Sequence, residues 1–298
     1  MATWATEQIN ADAEGLDTRP DAQVLNRLLN GQRAALDAVG SAIEALSQGA
    51  GLMADAMRGS GRLVYAGAGS SALMAVADGL ELVGTFGITP DRVTLLMAGG
   101  IPTDPRMPGT TEDDSAEASR AASGIGAGDV VIAVAASGRT PYTLTIARLA
   151  RENGARTICI ANTADAPIFE HADVAVCLPT PPEIVAGSTR MGAGTAQKAA
   201  LNMMSTLMGL RLGHVYDGMM VNVRPDNTKL KARAAAIVSR ISGASDSAAE
   251  KALLDTNWSV KPAVLIAAGA KSLHSAEKML NDHNGNLRTA LAQIRNPG

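Results

Sequence analysis

Two short segments combine glycines and hydroxyls in a way that suits an anion. Gly67-Ala68-Gly69-Ser70-Ser71 follows the apolar run Arg62 to Ala66 and precedes a helix-compatible stretch, Ala72 to Val83. Glycines let backbone N–H groups approach a phosphate, hydroxyls add donors, and a helix N-terminus adds positive potential. The segment lacks the lysine and spacing of a Walker A loop, and Ala72 stands where a dinucleotide fingerprint needs its third glycine. Alone, it reads equally as a tight strand-to-helix turn with a serine cap. Ser137-Gly138-Arg139-Thr140-Pro141 repeats the arrangement after the run Asp129 to Ala135. Pro141 suits a first helical turn, and Arg139 offers a fork for phosphate or carboxylate. Two such loops at neighbouring strand ends point to one phosphorylated small molecule held between them. A third patch, Gly187-Ser188-Thr189-Arg190, leads into Gly194 to Lys198. There Lys198 is in reach of a sugar or phosphate oxygen, or is a solvated lysine on a capped helix.

Acid–base chemistry needs carboxyl groups in different environments. Glu81 sits in sequence among Leu80, Leu82 and Val83, where apolar neighbours would raise its pKa and suit a proton donor. Glu112-Asp113-Asp114 lies in a polar connection after the Pro-rich stretch 101–108, where a carboxylate ionises more easily and a helix cap is the plainer reading. Spacing alone cannot bring Glu81 and Glu112 together. His171, His214, His274 and His283 are isolated, so no metal site is expected. No Gly-x-Ser-x-Gly elbow stands at a strand end. Cys159 and Cys177 lie in apolar runs and read as small core residues without a disulfide.

The elements that must hold these loops follow from periodicity. Residues 21–57 repeat apolar positions at three- and four-residue steps, as helices do. Five short apolar runs then alternate with helical stretches, which argues for a parallel sheet covered on both faces. A doubly wound sheet binds ligands at the carboxyl ends of its strands, where both hydroxyl–glycine loops fall. After about Asn227 the strand signals stop, and short helices are expected over 229–241, 247–254, 272–282 and 287–294, with 264–268 helix or strand. The organisation is thus N-terminal helices over 1–60, the α/β domain over 61–226 and a small helical C-terminal region over 227–298. Aromatic residues make up 2% of the chain and the net charge is −3, so neither a base-stacking platform nor a basic nucleic-acid footprint is present. The run 63–77 is too short to span a bilayer and the first 17 residues do not read as a signal peptide, so a cytoplasmic protein is expected.

The same residues resemble a family. The strand–Gly-Ala-Gly-Ser-Ser–helix unit and Ser137 to Tyr142 look like a sugar isomerase (SIS) domain, which implies a doubly wound, parallel, five-stranded sheet. More narrowly, the chain resembles the N-acetylmuramic acid 6-phosphate etherases. It does so at Thr6-Glu7, Leu16-Asp17, Glu81 with Thr85-Phe86-Gly87, Ala98-Gly99-Gly100 and Glu112-Asp113-Asp114. Further matches are 135–142, 187–190, 193–198, 201–203, 211–213, 215–216, Asn286-Leu287-Arg288 and Ala290-Leu291. The resemblance implies cleavage of the D-lactyl ether of an amino-sugar phosphate, with Glu81 as proton donor to the lactyl side and Glu112 as base. It implies phosphate binding by Ser70, Ser71, Ser137 and Thr140, a homodimer, and no metal or organic cofactor; the loops themselves add Gly69, Gly138, Arg139, Ser188, Thr189 and Lys198 as substrate-binding candidates. Where the family has Gly-Arg-Leu after the serines, this chain has Ala72-Leu73-Met74. It has Leu82-Val83-Gly84 for Cys-Pro-Pro, and Gly192 for a lysine. The alternatives are a non-catalytic sugar-phosphate sensor, similar to the glucokinase regulatory protein, a paralogue acting on a related ether or amino-sugar phosphate, and an aldose–ketose isomerase. A SIS-type transcription regulator would need a basic DNA-binding helix pair, and residues 1–60 hold only four arginines as cations.

Overall fold

The structure, a computed structural model, describes residues 4–107 and 109–295. Its residues group into two compact units. The first comprises the chain up to Gly79 together with Asp91–Thr206; the second comprises Leu80–Pro90 and the chain from Leu207 onward.

In the first unit, helices α1 (Asp21–Asp37) and α2 (Ile43–Arg58) are joined by a short 3-10 turn over Ala38–Ala42. The strands are β1 (Leu63–Gly67), β2 (Val93–Met97), β3 (Val130–Val134), β4 (Arg156–Ala161) and β5 (Val174–Cys177). They pair in the order β2-β1-β3-β4-β5, all parallel, as the alternation of runs and helices predicts. β1 and β3 are buried at every residue, so they read as continuous apolar runs rather than alternating ones. Side chains still alternate between faces. Val64, Ala66, Val131, Ala133, Cys159 and Ala161 share one core cluster with residues of α4 (Ser115–Ala122) and α5 (Pro141–Glu152). α2 lies close to β1, β3 and β5. It comes near the sheet through Gly49, where an added Cβ would meet Met204 Sδ at 2.5 Å and Ile158 Cδ1 at 3.4 Å. Cys159 is buried and Cys177 half-buried, and both are free thiols. Burial pushes the Cys159 thiol up to about 12, which makes it an inert core residue.

The strand order reverses between β1 and β3. The chain runs from β1 outward to β2, then returns to the other side of β1. That reversal is where a doubly wound sheet opens a crevice at its carboxyl edge.

Two long helices, α3 (Gly69–Phe86) and α6 (Gly192–Arg211), begin in the first unit. Within it they meet at a buried carboxylate. Asp78 accepts from Tyr65 Oη at 2.8 Å, Asn202 Nδ2 at 2.7 Å and Ser205 Oγ at 2.9 Å. Neutral donors satisfy a group that would be costly to bury bare.

The second unit holds a two-stranded antiparallel hairpin, β6 (Val215–Tyr216) and β7 (Met219–Met220), and five helices. These are α7 (Thr228–Ser242), α8 (Asp246–Asp255), α9 (Val260–Ala267), α10 (Leu273–Asp282) and α11 (Leu287–Arg295). The stretch that reads as helix or strand is therefore helical. Val221 and Val223 belong to this unit's core, so it takes in residues ahead of the 226/227 boundary at which the strand signals stop. Caps mark the helix starts: Asn227 accepts from Leu230 N, Ser245 from Ala248 N, and Ser272 forms a reciprocal box with Ser275.

Lys261 is 7% exposed on α9 and donates to the Gly285 carbonyl at 2.9 Å. Burial lowers its pKa to about 8. Between about 8 and the ordinary lysine value the unfolded chain binds a proton that the folded one does not, so this residue's contribution to stability rises with pH over that window. The melting-temperature difference between Lys261→Met and wild type is therefore expected to be flat below pH 8 and to shift in favour of wild type from pH 8 to 10. Melts across that range check it, and a difference that stays constant overturns it.

Candidate active site

Both hydroxyl–glycine loops open at the β1/β3 reversal. A cavity of about 320 Å³ lies there, within the size range of small-molecule sites. Ala68, Gly69, Ser70 and Ser71 line it from the end of β1, and Ala136, Ser137 and Thr140 from the end of β3. α3 begins at Gly69 and α5 at Pro141, so two helix N-termini start at the cavity wall. Thr140 occupies the N-cap of α5 without a capping side-chain bond. Ser137 Oγ accepts from Arg139 N at 3.2 Å, which shapes the loop. Gly138 is needed for its backbone: φ is +66°, and a Cβ would stand 2.5 Å from that of Ala166.

Glu112 completes this wall. It lies on the 3-10 turn Gly109–Asp113, and its carboxyl rests on Gly69. A Cβ on Gly69 would lie 2.6 Å from Glu112 Oε1, and φ there is +53°. Burial, and then the neighbouring Asp113, push the Glu112 carboxyl above its ordinary value. This corrects the expectation of an easily ionised acid in a polar loop: the long-range contact with the glycine loop half-buries it. Gly69→Ala introduces both a left-handed strain of about 1–3 kcal/mol and a collision with that carboxyl. A drop of about 100-fold in kcat/KM is expected, with the melting temperature moving by only a few degrees. Steady-state kinetics beside thermal melts test it, and near-native turnover contradicts it.

Glu81 also departs from expectation. It is exposed, not enclosed by apolar neighbours. The helix turn explains this: Ala77, Leu80, Glu81 and Gly84 form one exposed stripe of α3, while Leu82 points inward. Leu80 shares the stripe but is itself exposed, so it does not enclose the carboxyl.

The cations are placed differently from the expectation as well. Arg139 is not in the cavity wall. Its guanidinium reaches the Asp165 carboxylate and carbonyl at 3.3 Å and stacks 5.1 Å from the Trp4 ring centroid. Lys198 is exposed and bonds to Asn202 Oδ1 one turn along α6. Ser188 is outside the cavity wall, whereas Gly187 and Thr189 line it. No lysine or arginine is among the described residues that line it. Phosphate would thus be held by hydroxyls, backbone N–H groups and helix dipoles. Thr6, Glu7 and Met107 also line the cavity. Composition and spacing gave no sign of them; Thr6-Glu7 stood out only in the run of family matches.

Comparison with known proteins follows this geometry. The SIS domain model matches residues 110–208. An N-acetylmuramic acid 6-phosphate etherase of Deinococcus radiodurans is 40% identical over 97% of this chain and 95% of its own. One from Serratia proteamaculans is 38% identical over 98% and 99%. The chain belongs to the N-acetylmuramic acid 6-phosphate etherase family. The fold alone is matched by a Bacteroides fragilis protein named "putative phosphosugar isomerase involved in capsule formation". That match has 19% identity and a TM-score of 0.52 over 67% of this chain and 95% of the other.

The departures from the etherase family pattern have clear positions. Ala72 is buried beneath the first loop, its Cα 3.0 Å from where a Cβ on Gly67 would stand. Gly192 opens α6. Its N–H and that of Ala193 both donate to the buried Glu183 carboxylate at 2.9 Å. A Cβ at 192 would lie 3.1 Å from both Ala35 Cβ and Glu183 Oε2. The helix start is thus capped by an internal carboxylate at the position where the resemblance leads one to expect a lysine.

Proposed function

We propose that this protein cleaves the D-lactyl ether of N-acetylmuramic acid 6-phosphate, giving N-acetylglucosamine 6-phosphate and D-lactate in cytoplasmic cell-wall amino-sugar recycling. It is an enzyme, a carbon–oxygen lyase of the etherase family. The near-full-length identity to etherases carries this reading, and the cavity at the β1/β3 reversal supplies the place for it.

In this mechanism the phosphate lies against Ser70, Ser71, Ser137 and Thr140. The open-chain aldehyde acidifies the hydrogen on carbon 2, and Glu112 takes that proton. The C3–O bond breaks, its electron pair leaves with lactate, and Glu81 donates the proton that neutralises the leaving oxygen. Water then adds across the C2=C3 bond: its oxygen goes to carbon 3, one of its protons goes to the Glu81 carboxylate, and Glu112 returns its proton to carbon 2, which restores both groups. A carboxyl raised above its ordinary value suits a base working near neutral pH better than an ordinary glutamate does.

The protein acts as a homodimer in this proposal. In it, Glu81 serves the Glu112 site of a second copy, and the exposed stripe of α3 with Leu80 at 61% exposure is the face that presents it. No specific observation favours the sensor or isomerase readings. Incubation with N-acetylmuramic acid 6-phosphate and an enzymatic D-lactate assay tests the proposal. Lactate from wild type, and none from Glu81→Gln, is the expected result; absence of lactate from the wild type overturns it.

A further inference from the structure

The cavity contains a second carboxylate from its own chain, and it is Glu7. The N-terminal turn that carries it is pinned at three places. The Trp4 ring lies 5.1 Å beneath the Arg139 guanidinium, Thr6 is buried, and Asn10 Nδ2 donates to the Pro182 carbonyl at 2.7 Å. Arg139 belongs to the loop after β3, and Pro182 precedes the Gly187 patch, so the turn is tied to two segments that flank the cavity. Within the turn, Glu7 N donates to the Trp4 carbonyl at 2.9 Å.

The carboxyl of Glu7 has no hydrogen bond or ion pair among the described residues, although the backbone around it is anchored. Its Oε2 lies 3.4 Å from where a Cβ on Gly187 would stand, and Gly187 has φ of +74°. Glycine there leaves room beside the carboxylate. No lysine or arginine among the described residues of the cavity wall offsets its charge. An unpaired carboxylate in a cavity meant for a phosphorylated ligand works against binding unless the ligand returns donors to it. A sugar phosphate that carries an acylated amino group has such donors: an amide N–H and ring or chain hydroxyls.

We propose that Glu7 is a specificity-determining residue that accepts hydrogen bonds from the amide N–H and a neighbouring hydroxyl of the amino sugar, while the glycine–serine loops hold the phosphate. This rests on the sugar-phosphate reading of the cavity. It assigns to the N-terminal turn the recognition of the sugar's donor face.

Calorimetric titration of wild type, Glu7→Gln and Glu7→Ala with three ligands tests it. The ligands are inorganic phosphate, N-acetylglucosamine 6-phosphate and 2-deoxyglucose 6-phosphate, which lacks a donor at carbon 2. Wild type is expected to prefer the acetylated sugar over the deoxy sugar by about tenfold or more, as hydrogen bonds to a charged group allow. Glu7→Ala is expected to bring that ratio near one, with Glu7→Gln between, while inorganic phosphate binds within about twofold of wild type or more tightly. An undiminished preference in Glu7→Ala, with phosphate still bound, overturns the role of Glu7 alone. Failure of wild type to bind any of the three overturns the sugar-phosphate reading and this inference with it.

Discussion

Glu112→Gln is expected to lower kcat for lactate release by about 10²- to 10⁴-fold, the usual contribution of a positioned acid–base group. The amide keeps the size and the contact with Gly69 but cannot accept the proton from carbon 2. The same substitution should leave the fold as stable as wild type or more so. Burial and Asp113 raise the Glu112 carboxyl in the folded state, so the folded protein holds that proton to higher pH than the unfolded chain. The group's contribution is then fully present below the unfolded glutamate value and is lost as pH rises through the folded one. Glu112→Gln should accordingly gain in melting temperature relative to wild type at pH 8, and the gain should vanish near pH 4. Lactate assays and melts at both values check this. A variant that is inactive because it melts far below wild type at every pH would place Glu112 in the structure, not the chemistry.

The second large effect is a recovery. Glu81→Gln and Glu112→Gln proteins, each inactive alone, should regain about a quarter of wild-type specific activity once mixed and allowed to exchange subunits. Random exchange makes half the dimers hybrid, and each hybrid has one site with both glutamates and one with neither. The expectation follows from the proposal that Glu81 of one copy serves the Glu112 site of the other. Native mass spectrometry would verify exchange beside the assay. Hybrids that form without activity would mean that both glutamates act within one subunit.

Much of the fold was legible because it is local. The strands β1 and β3 are unbroken apolar runs, and their glycine–hydroxyl ends mark where each chain segment turns into a helix. Pro141 at the first position of α5 and Asn227 at the cap of α7 announce their helices in the same way. The site was legible where a single loop builds it. It was not where distant segments meet. Glu112 is raised first by burial, where it lands against Gly69 43 positions earlier, and only then by its neighbour Asp113; its acidic neighbourhood announces the second cause and not the first. Arg139 is diverted by Asp165 and Trp4, partners that only the fold supplies. Glu81 was misjudged for a simpler reason. Its sequence neighbours are apolar, but Leu80 is exposed beside it on the same stripe and only Leu82 turns into the core.

The contact between the Glu112 carboxyl and Gly69 has a consequence for how substrate affinity is used. In the proposed function the glycine belongs to the loop that holds the phosphate, and Glu112, the proposed base, rests against it. Docking of the phosphate is then expected to stiffen the seat of the base several bonds away from the reacting carbon. Attraction at that remote handle is expressed in turnover as well as in occupancy. A lactyl amino sugar lacking its phosphate would be both a weak ligand and a slow substrate once bound, and added inorganic phosphate would restore part of its rate.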